Sequence, residues 1–351
     1  MTVVALSHGY PPLWNMGGEV SLHRSIAPLD GRKVVLTATD KEYVFEGVEV
    51  KKINTPDVLD IHANPLPIAA QLKDLNANIV IGQNELSLPG VVAANRIGAV
   101  SMVNIHTPPK YGRLIRQAVV NADYAIYNTE TSAQLWGEPE ALVLHPPINK
   151  LPTKTSTNGD AYTLLSSLSN KGVQVVLDLA KQYPDQRFIV VRSPAEPTHG
   201  IKDLEELASQ LDNLELHPRV PPEEVHKYLK QTRILLVPSR YETYGMSAIE
   251  AAGYGIPSVH VDTPHVREGI GDAAVLVHPL DLGRTASGIE LIEKDYERYS
   301  LNSRARAEFI AARQEVELEK FSDFINNVKK PKENSIRKRS VTRASRINAQ
   351  A

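Results

Sequence analysis

The chain has 351 residues, 42% of them hydrophobic and 23% charged, with a formal net charge of −2. That length suits two α/β domains better than one, and the composition is that of a folded globular protein. With no cysteine in the sequence, disulfides, cysteine-ligated zinc and a thiol nucleophile are all excluded.

Met1 leads directly into a strand-like run without a basic leader, and no apolar stretch reaches the span of a bilayer. The expected location is therefore the cytoplasm. Short β-branched runs then alternate with amphipathic ones, predicting strands at 3–7, 33–39, 79–82, 101–106, 124–128 and 142–144. Helices at 90–96 and 113–121 fall between them, the pattern of a doubly wound parallel sheet. Residues 145–160 are rich in Pro, Ser, Thr and Gly and lack periodicity, as a linker does. The alternation restarts with strands at 161–166, 187–191, 214–217, 233–237, 258–261 and 274–277. Helices are predicted at 173–182, 202–211 and 223–230 and from about Met246, and 282–328 reads as helical with a break near Ser300. The expected organisation is α/β throughout: a Rossmann-like domain over 1–150, a second over 151–328 whose final helices pack back, and a tail over 329–351.

The tail carries eight Lys or Arg against Glu333, a net +7 that leaves −9 for the rest of a chain totalling −2. Almost nothing in it is apolar, so it is expected to be disordered, either a solvated terminus or an arm that binds polyanions.

Open parallel sheets bind ligands outside the carboxyl ends of their strands, so functional residues are expected on strand-to-helix loops. After the strand ending at Pro238-Ser239 come Arg240-Tyr241-Glu242-Thr243-Tyr244-Gly245-Met246-Ser247, then Glu250 and Ala251-Ala252-Gly253-Tyr254-Gly255-Ile256-Pro257. Gly245 permits close backbone approach, the following helix start favours anionic oxygens, and two carboxylates can each accept bonds from vicinal hydroxyls. Ser247 to Glu250 also satisfies a capping box, in which Glu250 would serve only the helix. The whole segment resembles the Glu-x7-Glu signature of retaining glycosyltransferases with the GT-B fold, in particular family 4, the glycosyl transferases of group 1. Tyr244 stands where that family usually has Phe.

The resemblance extends along the chain and implies a site. Glu242 would face the donor sugar and Glu250 the ribose, with Tyr244, Gly245, Met246 and Ser247 lining the donor. Gly17 and Gly18, before the first helix, match a glycine loop that approaches the donor. His106, at a strand end, matches a histidine near the transferred sugar. Lys171 in Ser166-Ser167-Leu168-Ser169-Asn170-Lys171-Gly172 matches a lysine that neutralises the leaving diphosphate. The arginine expected with it is missing, Ser166 or Ser167 taking its place, and Arg192 or Arg240 is the candidate substitute. Arg219 is the candidate contact to the base.

The resemblance thus implies transfer of a sugar from a nucleotide-diphosphate donor such as a UDP-sugar to a hydroxyl, with retention. It implies no cofactor, and the absence of an Asp-x-Asp motif agrees with independence from metal. The first-domain loops 54–66 and 107–113 are expected to bind the acceptor: a small molecule, lipid or glycan, or hydroxylated nucleic acid contacted by the tail in a DNA modification. A non-catalytic nucleotide-sugar binder and a sugar-nucleotide epimerase of the same fold are the alternatives.

Overall fold

The computed structural model describes residues 1–54, 64–108, 113–149, 152, 159–193, 201–221 and 224–331, without the side chains of 201 and 202. Most of the expected acceptor loops, much of the linker and the tail from 332 onward lie outside these residues. The chain divides into one unit of Met1–Pro147 with Gln314–Ala351 and a second of Ile148–Arg313.

The first unit is built on β1 (Thr2–Ser7), β2 (Arg32–Thr37), β3 (Tyr43–Phe45), β4 (Val48–Lys52), β5 (Ile79–Gln83), β6 (Val100–Ile105), β7 (Tyr124–Tyr127) and β8 (Leu142–Val143). Their order is β3-β4-β2-β1-β5-β6-β7-β8. β3 runs antiparallel to β4, and the other described pairings are parallel. The hairpin escaped the sequence reading. Its turn, Glu46-Gly47, has φ of 45° and 77°, the left-handed pair a two-residue hairpin requires.

Alternate residues feed two separate cores, as a sheet covered on both faces demands. Val3, Ala5, Ile79, Ile81, Val100 and Met102 pack with Leu22 and Ile26 of helix α1 (Gly17–Ile26) and with Phe321 and Ile325 near the end of the chain. Val4, Leu6, Val34 and Val80 face the other way, onto α2 (Leu66–Asp74) and α3 (Ser87–Ile97). Two further helices, α4 (Arg113–Asn121) and α5 (Glu130–Leu135), complete the unit.

The second unit has β9 (Ala161–Leu164), β10 (Phe188–Val191), β11 (Leu214–His217), β12 (Thr232–Val237), β13 (Ser258–Val261) and β14 (Ala274–Val277), all parallel, in the order β11-β10-β9-β12-β13-β14. Its helices are α6 (Val173–Gln182), α7 (Ile201–Ser209), α8 (His226–Leu229), α9 (Met246–Ala252), α10 (Pro264–Gly269), α11 (Leu282–Lys294) and α12 (Tyr296–Asn327). The helical break comes at Asp295, whose φ of −145° and ψ of 49° leave the helical region, and not at Ser300. Ser300 lies inside α12, where its hydroxyl donates to the Gly255 carbonyl at 2.6 Å. The last helix serves both units: Ala307 and Ile310 pack in the second, Phe321 and Ile325 in the first.

Beyond α12, Lys330 is bound at the amino edge of the first sheet. Its ammonium donates to Asn95 Oδ1 (2.6 Å), the Ala99 carbonyl (2.7 Å) and Asp123 Oδ2 (2.8 Å). Asp123 is 2% exposed and also accepts from the amide and hydroxyl of Ser101. Removing one partner strands a buried charge, so Lys330→Met is expected to lower stability by about 2 kcal/mol. Urea denaturation checks this, and Asp123→Asn in the same background should recover part of the loss. An unchanged midpoint in Lys330→Met would mean that the ammonium does not hold Asp123.

Candidate functional site

Each sheet has one place where the strand order reverses, the crevice in which such sheets bind ligands. In the second unit the reversal falls between β9 and β12, and the loops leaving these neighbours carry the strongest motifs. Gly172, at φ 91°, caps α6 so closely to β12 that a Cβ there would stand 2.7 Å from the Pro238 ring. The Arg240 amide donates to the Asn170 carbonyl at 2.8 Å, tying one loop to the other. Lys171 and Glu242, 71 positions apart, consequently meet: Nζ donates to Oε1 at 2.6 Å.

Glu242 is held from several sides. The Ser239 hydroxyl donates to the same Oε1 at 2.9 Å, and the Thr263 hydroxyl donates to the Glu242 carbonyl at 3.0 Å. Thr263 in turn caps α10, accepting the Val266 amide at 3.1 Å. The carboxylate is only 15% exposed and the lysine 34%. An immobilised carboxylate thus lies beside an ammonium with two further N–H groups, a pairing suited to hydroxyls on one side and anionic oxygens on the other.

Gly245 is left-handed at φ 85° and begins α9. A Cβ on it would stand 2.7 Å from Nε2 of His260. His260, on β13, is fully buried; its Nδ1 donates to the Val261 carbonyl at 3.0 Å and its Nε2 has no partner among the described residues. Burial lowers its proton affinity, with the Glu242 charge opposing. Because Gly245 occupies the cap position and makes no side-chain bond, Ser247 is already inside the helix, and the capping-box geometry is not adopted. Met246 and Ser247 are half-buried in the first turn and Glu250 in the second. The Tyr244 side chain turns away into the core, 2% exposed, with its hydroxyl accepting from Arg313 at 2.7 Å. Only its backbone borders the loop.

Of the candidate arginines, Arg192 is engaged with Glu205 at 2.8 Å, whereas Arg240 is exposed beside the Lys171 loop. Arg219 is exposed in the loop after β11.

In the first unit the reversal lies between β1 and β5. Gly18 opens α1 there, and a Cβ on it would come within 3.1 Å of Gln83 Nε2. Gln83 was not singled out in the sequence, yet it is fully buried at the end of β5 with neither amide atom partnered among the described residues. Ser7 Oγ and His106 Nε2 are likewise closed from solvent without partners among the described residues. Burial lowers the His106 pKa to about 4, so its imidazole is neutral near pH 7. Gly17 is exposed at the helix start.

Two Rossmann-like units carrying these loops define a GT-B fold. Residues 156–309 match the family model described as glycosyl transferases group 1. A D-inositol 3-phosphate glycosyltransferase from Mycolicibacterium gilvum is 27% identical over 237 residues, 58% of this chain and 53% of its own. An uncharacterized glycosyltransferase from Haemophilus influenzae is 26% identical over 196 residues, 52% of this chain and 55% of its own. The chain thus spans about half the length of these curated relatives. Among solved structures, Anabaena HepE in complex with UDP-glucose superposes with a TM-score of 0.76 at 17% identity, covering 93% of this chain and 100% of that one. Sucrose-phosphate synthase from Thermosynechococcus elongatus gives 0.73 at 14%, covering 93% and 98%. At such identities the likeness is one of fold. No helix among the described residues is long and apolar enough to cross a membrane.

Gly245→Ala is expected to cost about 1–2 kcal/mol from its left-handed backbone alone, plus the contact with His260. His260→Ala should relieve the second part, so a double-mutant cycle by denaturation should show coupling; strict additivity would mean that the imidazole does not press on the loop. A pH dependence follows from His106. Unfolded imidazole takes up its proton near pH 6.5, the folded one only near 4, so between these values the unfolded chain binds more protons. Stability should therefore fall as pH drops from 6.5 to 4, with no such contribution above 6.5. In His106→Gln the slope of Tm against pH should be shallower in that window, and a slope equal to the parent's would count against the burial.

Proposed function

We propose that the chain transfers a glycosyl group from a nucleotide-diphosphate sugar to a hydroxyl acceptor, with retention at the anomeric carbon and without a metal. The observation that carries this reading is the Lys171–Glu242 pair, 2.6 Å apart at the switch point of the second sheet. In the free protein the ammonium is engaged on one side. With a diphosphate in the crevice, its remaining N–H groups would meet the charge that builds on the leaving oxygen as the glycosidic bond breaks. Glu242, fixed by Ser239 and Thr263, would accept hydroxyls of the donor sugar. The new bond forms between the acceptor oxygen and the anomeric carbon while the bond to the diphosphate oxygen breaks, and the acceptor proton leaves with the diphosphate.

Glu250 would contact the ribose, Arg219 the base, and the Gly245, Met246 and Ser247 backbone the donor oxygens. Gly17, Gly18 and His106 would act from the first unit. For the second cation we favour Arg240, whose loop is joined to that of Lys171, over Arg192, which is engaged by Glu205. The UDP-glucose in the Anabaena relative's structure makes UDP-sugars the first donors to test.

Lys171→Ala and Glu242→Ala should each lower transfer by about 10²- to 10³-fold or more while thermal unfolding stays cooperative. Full activity in either folded variant would contradict the assigned roles. Arg240→Ala should reduce kcat/KM more than Arg192→Ala, and the reverse order would reassign the cation.

A further inference from the structure

The two sides of α12 differ in a way that the cores do not explain. Tyr299, Ser303, Ala307 and Ile310, and later Phe321 and Ile325, are buried. On the opposite side Leu301, Ala305, Phe309, Ala312 and Val316 follow one another at steps of four, four, three and four residues. At about 100° per residue they fall within an arc of about 80°. All five are exposed, Leu301 by 65%, Phe309 by 55% and Val316 by 48%. A single exposed leucine is ordinary, but an aligned apolar stripe along one helix marks an interaction surface.

Basic side chains that would otherwise cross the stripe are turned inward. Arg304 donates to the Gly253 carbonyl, Arg306 to the Gly269 carbonyl at 2.7 Å and Arg313 to the Tyr244 hydroxyl at 2.7 Å. A helix that lies on an anionic lipid surface directs such groups outward. Here the outward charges next to the stripe are of both signs: Arg298, Glu308 and Glu319, all exposed.

The order of these residues identifies the partner. From Arg298 through Leu301, Ala305, Glu308, Phe309, Ala312 and Val316 to Glu319 the steps are three, four, three, one, three, four and three, the same in either direction. A twofold contact brings residue i against j and j against i, so a face with this symmetry fits an antiparallel copy of itself. With the axis between Glu308 and Phe309, Leu301 meets the partner's Val316 and Ala305 meets the partner's Ala312, where small side chains let the helices approach. The two Phe309 rings meet at the axis. Arg298 meets the partner's Glu319, an opposite-charge contact that occurs twice. Its present bond to Asp295 at 2.6 Å is an exposed one and costs little to share. A parallel pair would set Arg298 against Arg298 and Glu319 against Glu319. One like-charge contact remains in the antiparallel pair, between the two Glu308 carboxylates, each with Arg304 of its own chain at 3.6 Å.

We propose that this face of α12 binds the same face of a second copy of the chain, antiparallel about a twofold axis. Nothing in the argument depends on the glycosyl-transfer reading. Sedimentation equilibrium of the full chain from about 1 to 300 µM should show a reversible monomer–dimer equilibrium. Phe309→Glu should raise the dimer Kd at least about tenfold with Tm unchanged at a concentration where the parent is monomeric. Arg298→Glu and Glu319→Arg should each raise Kd at least about tenfold, because each creates two like-charge contacts, and the double variant should return to within about threefold of the parent. A folding defect would give no such rescue. Glu308→Gln should tighten the dimer. Because the sequence has no cysteine, direction can be read separately: under mild oxidation a mixture of Ala305→Cys and Ala312→Cys should cross-link faster than either variant alone. Faster linking of either alone overturns the antiparallel arrangement, as does failure of the double charge variant to recover. A monomer at every concentration overturns the proposal, and so does a dimer indifferent to Phe309→Glu. Binding of the monomer to phosphatidylserine vesicles that is lost in Phe309→Glu would assign the face to a membrane instead.

Discussion

The structure of the candidate site depends on a reversal of strand order. β9 and β12 are neighbours in space whose following helices leave in opposite directions around the sheet, so the loops at their carboxyl ends border a crevice. Two left-handed glycines exploit that gap. Gly172 closes against Pro238, and Gly245 closes against His260. Without both close approaches, a lysine and a glutamate so distant in sequence would not share a hydrogen bond. Bulk at either glycine would therefore act on the chemistry through distance, before it acted on any ligand contact.

The same topology is used twice, with opposite electrostatic character. At the second switch point a cation and an anion are within bonding distance and further restrained by hydroxyls, which favours a ligand that carries both charge and hydroxyls. At the first, the Ser7 hydroxyl and the Gln83 amide are buried without partners among the described residues, a state that is destabilising unless a ligand completes it. On the proposed glycosyl-transfer reading, the second crevice would stabilise charge that develops on a leaving group. Strain and unsatisfied groups of this kind are more readily tolerated where a ligand relieves them.

Much of this was legible in the sequence because it was local. The Glu242 to Pro257 segment carries its spacing within one loop and one helix, and the helices at 173–182 and 113–121 announce themselves by periodicity and keep those limits. What was not legible depended on register. Gln83 is the last residue of an ordinary apolar strand, and its isolation appears only once Ser7 and Asn104 are set beside it and Gly18 above it. Tyr244 reads as part of a donor motif, but its ring is drawn into the core by Arg313 on a helix far along the chain. Ser247 and Glu250 have capping-box spacing, yet a glycine two residues earlier starts the helix and takes the cap. Ser300 suggests a break because serine is a poor interior helix residue; the tertiary bond to Gly255 gives its hydroxyl another use. The Glu46-Gly47 hairpin lacks the Asn-Gly or Asp-Gly pair that signals such a turn, since a glutamate takes the left-handed position.

The end of the described chain bears on the charge distribution. Lys330 is fixed beside Ala99 and Asp123, at the amino ends of β6 and β7, whereas His106 and Gln83 stand at carboxyl ends of the same sheet. A six-residue strand separates these edges by about 20 Å, well beyond the Debye length of about 8 Å at physiological ionic strength. The Lys330 ammonium itself is thus screened from the carboxyl edge.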